Sequence, residues 1–176
     1  MKIEWAAALI LSFAPLAAQA DVADQSAAGF EIRYVTNLNA PQAKVRAAVL
    51  DVGRWWSGDH SYSGDAKNLT IDPATGCFCE TLTDGQVRHM TVVYSDDGAL
   101  RLFGGLGPLQ STGASGHLIL QFEKAADPTR TLLTVTYDVG GYAKGGLGDL
   151  WAKPVDFVLG EQVSRLKRYV ETGKPD

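Results

Sequence analysis

Cysteine and methionine are scarce, with two of each in 176 residues. Two thiols cannot supply the disulfide framework of a small secreted scaffold, so the fold has to rest on a buried apolar core. Positive charge is also in short supply: 16 Lys and Arg stand against 20 Asp and Glu, a formal net charge of −4. The densest basic grouping is Arg165-Leu166-Lys167-Arg168. That is far from the clustered Lys and Arg of a phosphate-binding surface, which argues against nucleic acid as a partner. No uncharged apolar run reaches the ~18 residues of a membrane-spanning helix. The phosphate-binding loop Gly-x₄-Gly-Lys-Ser/Thr is missing, Gly105-x-Gly107-x-x-Gln110 breaks the dinucleotide pattern at its third glycine, and no Gly-x-Ser-x-Gly elbow occurs.

What is present is ordinary globular composition, 45% hydrophobic and 20% charged, enough for one domain with a real core. The first twenty residues stand apart. Lys2 gives a weak positive start, Trp5 to Ala18 carry no charge, and the segment ends Ala18-Gln19-Ala20. This is the order of a secretory signal peptide, so residues 1–20 are expected to be removed. The mature protein would then be exported, and periplasmic in a Gram-negative source. Residues 21–28 lack periodicity and read as a mobile leader, with a single domain over 29–172.

Within that domain, 29–38 alternates as a strand. Asn39 and Pro41 suit a helix start, and a helix over 41–51 would place Val45, Val49 and Val52 on one side. Trp55 and Trp56 open an aromatic, Gly-rich loop that runs to Gly64. Strands follow at 67–72, 77–82, 87–95, 99–104, 115–124 and 130–139, separated by turn residues, which is a meander. Asp84-Gly85 marks a hairpin, and Gly104–Gly113, with Pro108, is a true break. A helix from about Gly148 to Glu171 carries Leu147, Leu150, Trp151, Val155, Val158, Leu159, Gln162, Leu166 and Tyr169 at three- and four-residue steps. Pro154 should kink it or reset its start. The fold class is therefore α+β: a curved antiparallel sheet of six to seven strands wrapped around one long C-terminal helix. A strongly curved sheet gripping a helix leaves room for a ligand between them.

This order of elements resembles the helix-grip fold of the SRPBCC superfamily, with its START lipid-transfer domains, birch-pollen allergens and polyketide cyclases. The string Arg54 to Asp65, together with Gly76-Cys77-Phe78-Cys79-Glu80, Arg88-His89-Met90, Leu106-Gly107-Pro108-Leu109-Gln110 and Pro154 to Gln162, is similar to a bacterial branch grouped with activators of a heat-shock chaperone ATPase. The resemblance covers about residues 29–170. It implies a ligand cavity between sheet and helix, without an assigned reaction.

Four candidate sites compete for chemistry. His60, Cys77, Cys79 and His89 offer zinc-type ligands, but structural zinc sites use a wider cysteine spacing. If Asp84-Gly85 is the turn, Glu80 faces His89, Cys79 faces Met90 and Cys77 faces Val92. Both cysteines then lie on the face opposite His89, and no metal is expected. In that register Glu80 and His89 are a cross-strand pair, read first as an exposed or half-exposed ion pair and second as an acid–base couple inside the cavity. Cys77 and Cys79, ~6.6 Å apart along a strand, read as two small buried thiols or, in an oxidising compartment, as a reducible disulfide. Trp55 and Trp56 either seal the end of the core or face the pocket, and Gly140 to Gly146 suits a mobile gate.

Three functions follow as expectations. The first is a monomer or weak dimer, with no cofactor, that binds a hydrophobic or amphipathic small molecule. Its lining would come from Trp55, Trp56, His60, Tyr62, Met90, Tyr137, Trp151, Val155, Val158, Leu159 and Gln162. The second is a cyclase- or hydrolase-like enzyme using Glu80, His89 or His60. The third is a co-chaperone-like interaction module, which export would disfavour.

Overall fold

Period-two alternation of apolar side chains dictates the architecture. The computed structural model describes residues 21–176, so the expected signal peptide lies outside the described residues. Eight strands, β1 (Asp21–Ser26), β2 (Gly29–Leu38), β3 (Leu69–Asp72), β4 (Cys77–Leu82), β5 (Gly85–Ser95), β6 (Ala99–Gly104), β7 (Gly113–Lys124) and β8 (Thr131–Tyr142), form one antiparallel sheet. Its order is β1-β2-β8-β7-β6-β5-β4-β3, a six-strand meander extended at the β8 edge by the N-terminal hairpin. Phe30, Ile32, Tyr34, Thr36 and Leu38 of β2 point inward, as do Leu118, Leu120 and Phe122 of β7 and Leu133, Val135, Tyr137 and Val139 of β8.

The sheet has one strand more than the sequence pattern suggested. Residues 21–26, expected as a mobile leader, pair with β2 as an edge strand. An edge strand exposed on one side can be polar throughout, because backbone hydrogen bonds hold it, so its composition carries no strand signature.

Helix α1 (Gln42–Leu50) buries Val45, Ala48 and Val49 and contacts the long C-terminal helix α2 (Lys153–Thr172). Pro41, not Asn39, occupies the cap position of α1, and no side chain among the described residues caps it. Pro154 does reset α2: it sits in the first turn, preceded by a π-helical turn at Gly148–Ala152. A proline needs no backbone N–H partner in a first turn, so it fits there without breaking the ladder. Leu159, Gln162, Val163, Leu166 and Val170 make the buried stripe of α2. Gly173 closes the helix in the left-handed conformation.

One clamp fixes the first turn of α2 to the sheet. Tyr34 of β2 donates its hydroxyl to the Asp156 backbone carbonyl at 2.6 Å and meets the Asp156 carboxylate at 2.5 Å. Burial, with Asp156 beside it, pushes the Tyr34 hydroxyl far above the ordinary tyrosine range. Gly160 leaves room for this clamp, since a Cβ there would come within 2.9 Å of the Tyr34 hydroxyl oxygen.

The β4–β5 hairpin departs from the expected register, with consequences for the site. Leu82 pairs with Gly85, so Thr83-Asp84 form the turn, and Glu80 pairs with Val87 instead of His89. The register then shifts between Cys79, paired with Arg88, and Phe78, paired with Met90. His89 is the additional residue of that β-bulge. A bulge re-aims side chains: here the consecutive residues His89 and Met90 are both buried.

Candidate functional site

Cys77 and Cys79 lie on the face of β4 opposite Phe78 and Glu80, and a disulfide joins them. Neither is one of two thiols buried against Met90 and Val92, because the bulge pairs Met90 with Phe78 on the other face. Their Cα atoms are 5.4 Å apart, closer than the ~6.6 Å of two extended residues. The short stretch of β4 thus faces the bulged stretch of β5. Bonded to each other, the cysteines offer no thiolate to His60 or His89. Among the described residues no group of three or more His, Cys, Asp or Glu side chains is arranged to hold a metal ion.

On the inner face of the same hairpin, Glu80 is fully buried and His89 is 5% exposed. His89 Nε2 lies 2.9 Å from Glu80 Oε2. The exposed or half-exposed ion pair expected from the sequence is therefore a buried pair, and its members meet diagonally across the hairpin instead of directly opposite each other. Glu80 also accepts from the backbone N–H groups of Tyr62 at 3.1 Å and Ser63 at 2.5 Å. Burial opposes ionisation of Glu80, but donors from Ser63, His89 and Tyr62 together outweigh it and hold the carboxyl below the ordinary glutamate range. A carboxylate only accepts, so Nε2 of His89 is the protonated nitrogen. Its Nδ1 is buried and has no hydrogen-bond partner among the described residues.

The aromatic loop after α1 bridges helix and sheet. On the sheet side it gives its Tyr62 and Ser63 N–H groups to Glu80. On the helix side Ser57 N–H donates to Gln162 Oε1 at 2.8 Å, Arg165 Nε–H donates to the Trp55 carbonyl at 2.8 Å, and His60 Nε2 meets Glu161 Oε2 at 2.9 Å. Buried Gln162 on an otherwise apolar stripe is thus a loop anchor: its Oε1 satisfies a buried N–H.

Beneath the loop lies a cavity of about 310 Å³ between the sheet and the N-terminal half of α2. Trp56, Leu69, Phe78 and Leu109 form apolar wall, and Trp151, Val155, Val158 and Leu159 of the helix segment form the opposite one. Polar groups collect along one part of the lining, at Asp59, His60, Ser61, Tyr62 and His89. The Tyr62 ring stacks on the His89 ring with centroids 5.8 Å apart, and Phe78 lies 5.1 Å from the same ring.

Seven of the eleven residues proposed as lining meet this cavity: Trp56, His60, Tyr62, Trp151, Val155, Val158 and Leu159. Trp55 does not. It is buried with its indole N–H donated to the Ala48 carbonyl at 2.8 Å, sealing the core under the loop. Met90 packs in the core beside the bulge. Tyr137 is a fastener, accepting from Leu106 N–H at 3.0 Å and donating to the Gly104 carbonyl at 3.3 Å, and its burial pushes its hydroxyl up to about 12. Gln162 turns to Ser57. Glu80 stands behind His89 and is not part of the lining.

The sequence reading missed Leu106, Gly107, Pro108 and Leu109, which come from the β6–β7 connection treated as a simple break. Their motif was visible as a string of resemblance, but nothing local said that it folds over a cavity. Glu161 was missed for a simpler reason. It lies on the helix one position from Gln162, and only the docked loop brings His60 to it.

No family model and no curated protein sequence matches this chain. Solved structures do. A conserved protein of unknown function from Enterococcus faecalis superposes with a TM-score of 0.59 at 13% identity, over 89% of this chain and 78% of its own. CalU16 from Micromonospora echinospora gives 0.53 at 13% identity, over 84% and 78%. A protein from Arthrobacter aurescens gives 0.52 at 14% identity, over 85% and 92%. At such identities the likeness concerns the fold alone: a curved antiparallel sheet holding a C-terminal helix.

Proposed function

We propose that this protein is an exported binder of an apolar or amphipathic small molecule, held between the sheet and the first turns of α2. The observation that carries this reading is the cavity of about 310 Å³ with its mostly apolar wall and polar groups gathered on one part of it. Such a volume falls at the lower end of the ~300–1,000 Å³ range of small-molecule sites. Burying about 250 Å² of apolar ligand surface there contributes roughly 6 kcal/mol before ordering costs, enough for binding without any catalytic group. The expected export rests on residues 1–20 alone and is tested separately, by the N-terminal sequence of the protein recovered from its source.

Native mass spectrometry of protein purified without detergent, followed by thermal-shift screening with lipids and aromatic compounds, tests the binding. A co-purifying mass, or a Tm raised by one chemical class, is the expected result. A clean apo mass with no shift across the library would overturn the reading.

A further inference from the structure

The disulfide of β4 belongs to the outer surface of the sheet, not to the cavity. Cys77 and Cys79 are both half-buried there, on the face opposite Phe78, and one residue separates them. Register fixes what stands beside each sulfur, because residues paired across an antiparallel ladder point to the same face with Cβ atoms ~5 Å apart. Cys79 has Arg88 of β5 on one side and Thr70 of β3 on the other, whereas Cys77 has Thr91 and Asp72. Arg88 is exposed, and an arginine side chain spans that separation. The Asp72 carboxylate accepts from the Thr75 hydroxyl and the Ala74 N–H, both at 2.8 Å, and these bonds hold it below the ordinary aspartate range. It is a negative charge at neutral pH. The two sulfurs thus have opposite charges for neighbours, a cation beside Cys79 and an anion beside Cys77. A disulfide that only braces a strand needs no such asymmetry. Thiol–disulfide exchange uses it, because the sulfur whose thiolate is better stabilised leaves faster.

We propose that Cys77–Cys79 is a thiol–disulfide exchange site for a dithiol partner, in which Cys79 is the leaving sulfur and Arg88 stabilises its thiolate. One thiolate of the dithiol attacks Sγ of Cys77. The Cys77–Cys79 bond breaks and its electron pair departs with Cys79. The second thiol of the partner loses its proton and attacks the partner sulfur of the mixed disulfide. The bond to Cys77 breaks, and the Cys77 thiolate takes up a proton. The protein gains two electrons, the dithiol is oxidised to a disulfide, and no other reactant enters. This activity is independent of what the cavity holds, because the sulfurs and the cavity lie on opposite faces of β4.

Dithiothreitol added to the oxidised protein in native buffer, with free thiols counted over time, reads the exchange. Reduction within minutes is expected, with the circular dichroism of the sheet unchanged. A disulfide that yields only when urea unfolds the protein would overturn the proposal, as would two cysteines that stay free thiols in oxidised dithiothreitol. Mass mapping after brief treatment of the reduced protein with limiting iodoacetamide reads the polarity. At neutral pH Cys79 should be alkylated about threefold faster than Cys77, the net of a larger thiolate fraction and the lower nucleophilicity of a more acidic thiol. Arg88→Gln should remove that preference and slow the reduction, while Arg88→Lys should keep both. Equal reactivity of the two cysteines in the wild type, which needs no variant to fold, would overturn the assigned polarity. So would a preference that survives in Arg88→Gln.

Discussion

Two histidine–glutamate pairs stand on either side of the same loop, each closed at 2.9 Å, and they are not equivalent. In the Glu80–His89 pair the side chains are 0% and 5% exposed, and the carboxylate serves two backbone N–H groups besides the imidazole. In the His60–Glu161 pair they are 25% and 35% exposed, with one bond between them. The first pair is embedded in the sheet and organises the loop around a buried charge. The second is a partly solvated latch from that loop to the helix. Identical chemistry and distance thus carry different energetic weight, because removing a buried partner leaves several groups desolvated and unpaired, whereas water replaces a partner at the surface.

The sharpest way to break this comparison is Glu80→Ala. It strands the N–H groups of Tyr62, Ser63 and His89 at once, and a loss of about 3 kcal/mol is expected in urea unfolding. A loss below about 1 kcal/mol would mean that the buried pair is no more than a surface one. The acid limb of the stability curve comes next. The carboxyl of Glu80 is held below its ordinary value in the folded protein. Its contribution is therefore complete above the ordinary glutamate value and disappears as pH falls through the depressed folded value. Stability of the wild type should accordingly decline on the acid side more steeply than that of Glu80→Gln, which has no proton to take up there. Parallel acid limbs would contradict the assignment. The smallest effect belongs to Glu161→Ala, for which about 0–1 kcal/mol is expected. Its visible consequence should be faster hydrogen exchange at residues 57–62, with no change at β4 and β5.

Much of this site was legible before any fold was known, but for reasons that were only partly right. Glu80 and His89 stood out as a pair by assuming an Asp84-Gly85 turn. The turn is one residue earlier, so Val87, not His89, stands opposite Glu80. His89 reaches the carboxylate diagonally across the hairpin, from the bulge position. Nothing in Arg88-His89-Met90 announces a bulge, because its room comes from another strand: Gly104 of β6 lies so close that a Cβ would sit 2.9 Å from the His89 carbonyl oxygen. Trp55 and Trp56 show the same boundary. Adjacent and chemically identical, one is spent on the core and the other on the cavity, according to the direction in which the loop leaves α1.

Alternating apolar residues in the strands and the three- and four-residue steps of the last helix determined, from the sequence alone, an antiparallel sheet covered by one helix. Those patterns are local, set by the geometry of each element and by water. Tertiary structure decided the edge strand at 21–26, the inward turn of His89, the partnership of His60 with Glu161, and the closing of the Leu106–Leu109 segment over the cavity. Each of these joins groups distant in the chain or depends on space left by a neighbouring strand, and a linear pattern carries no record of that space.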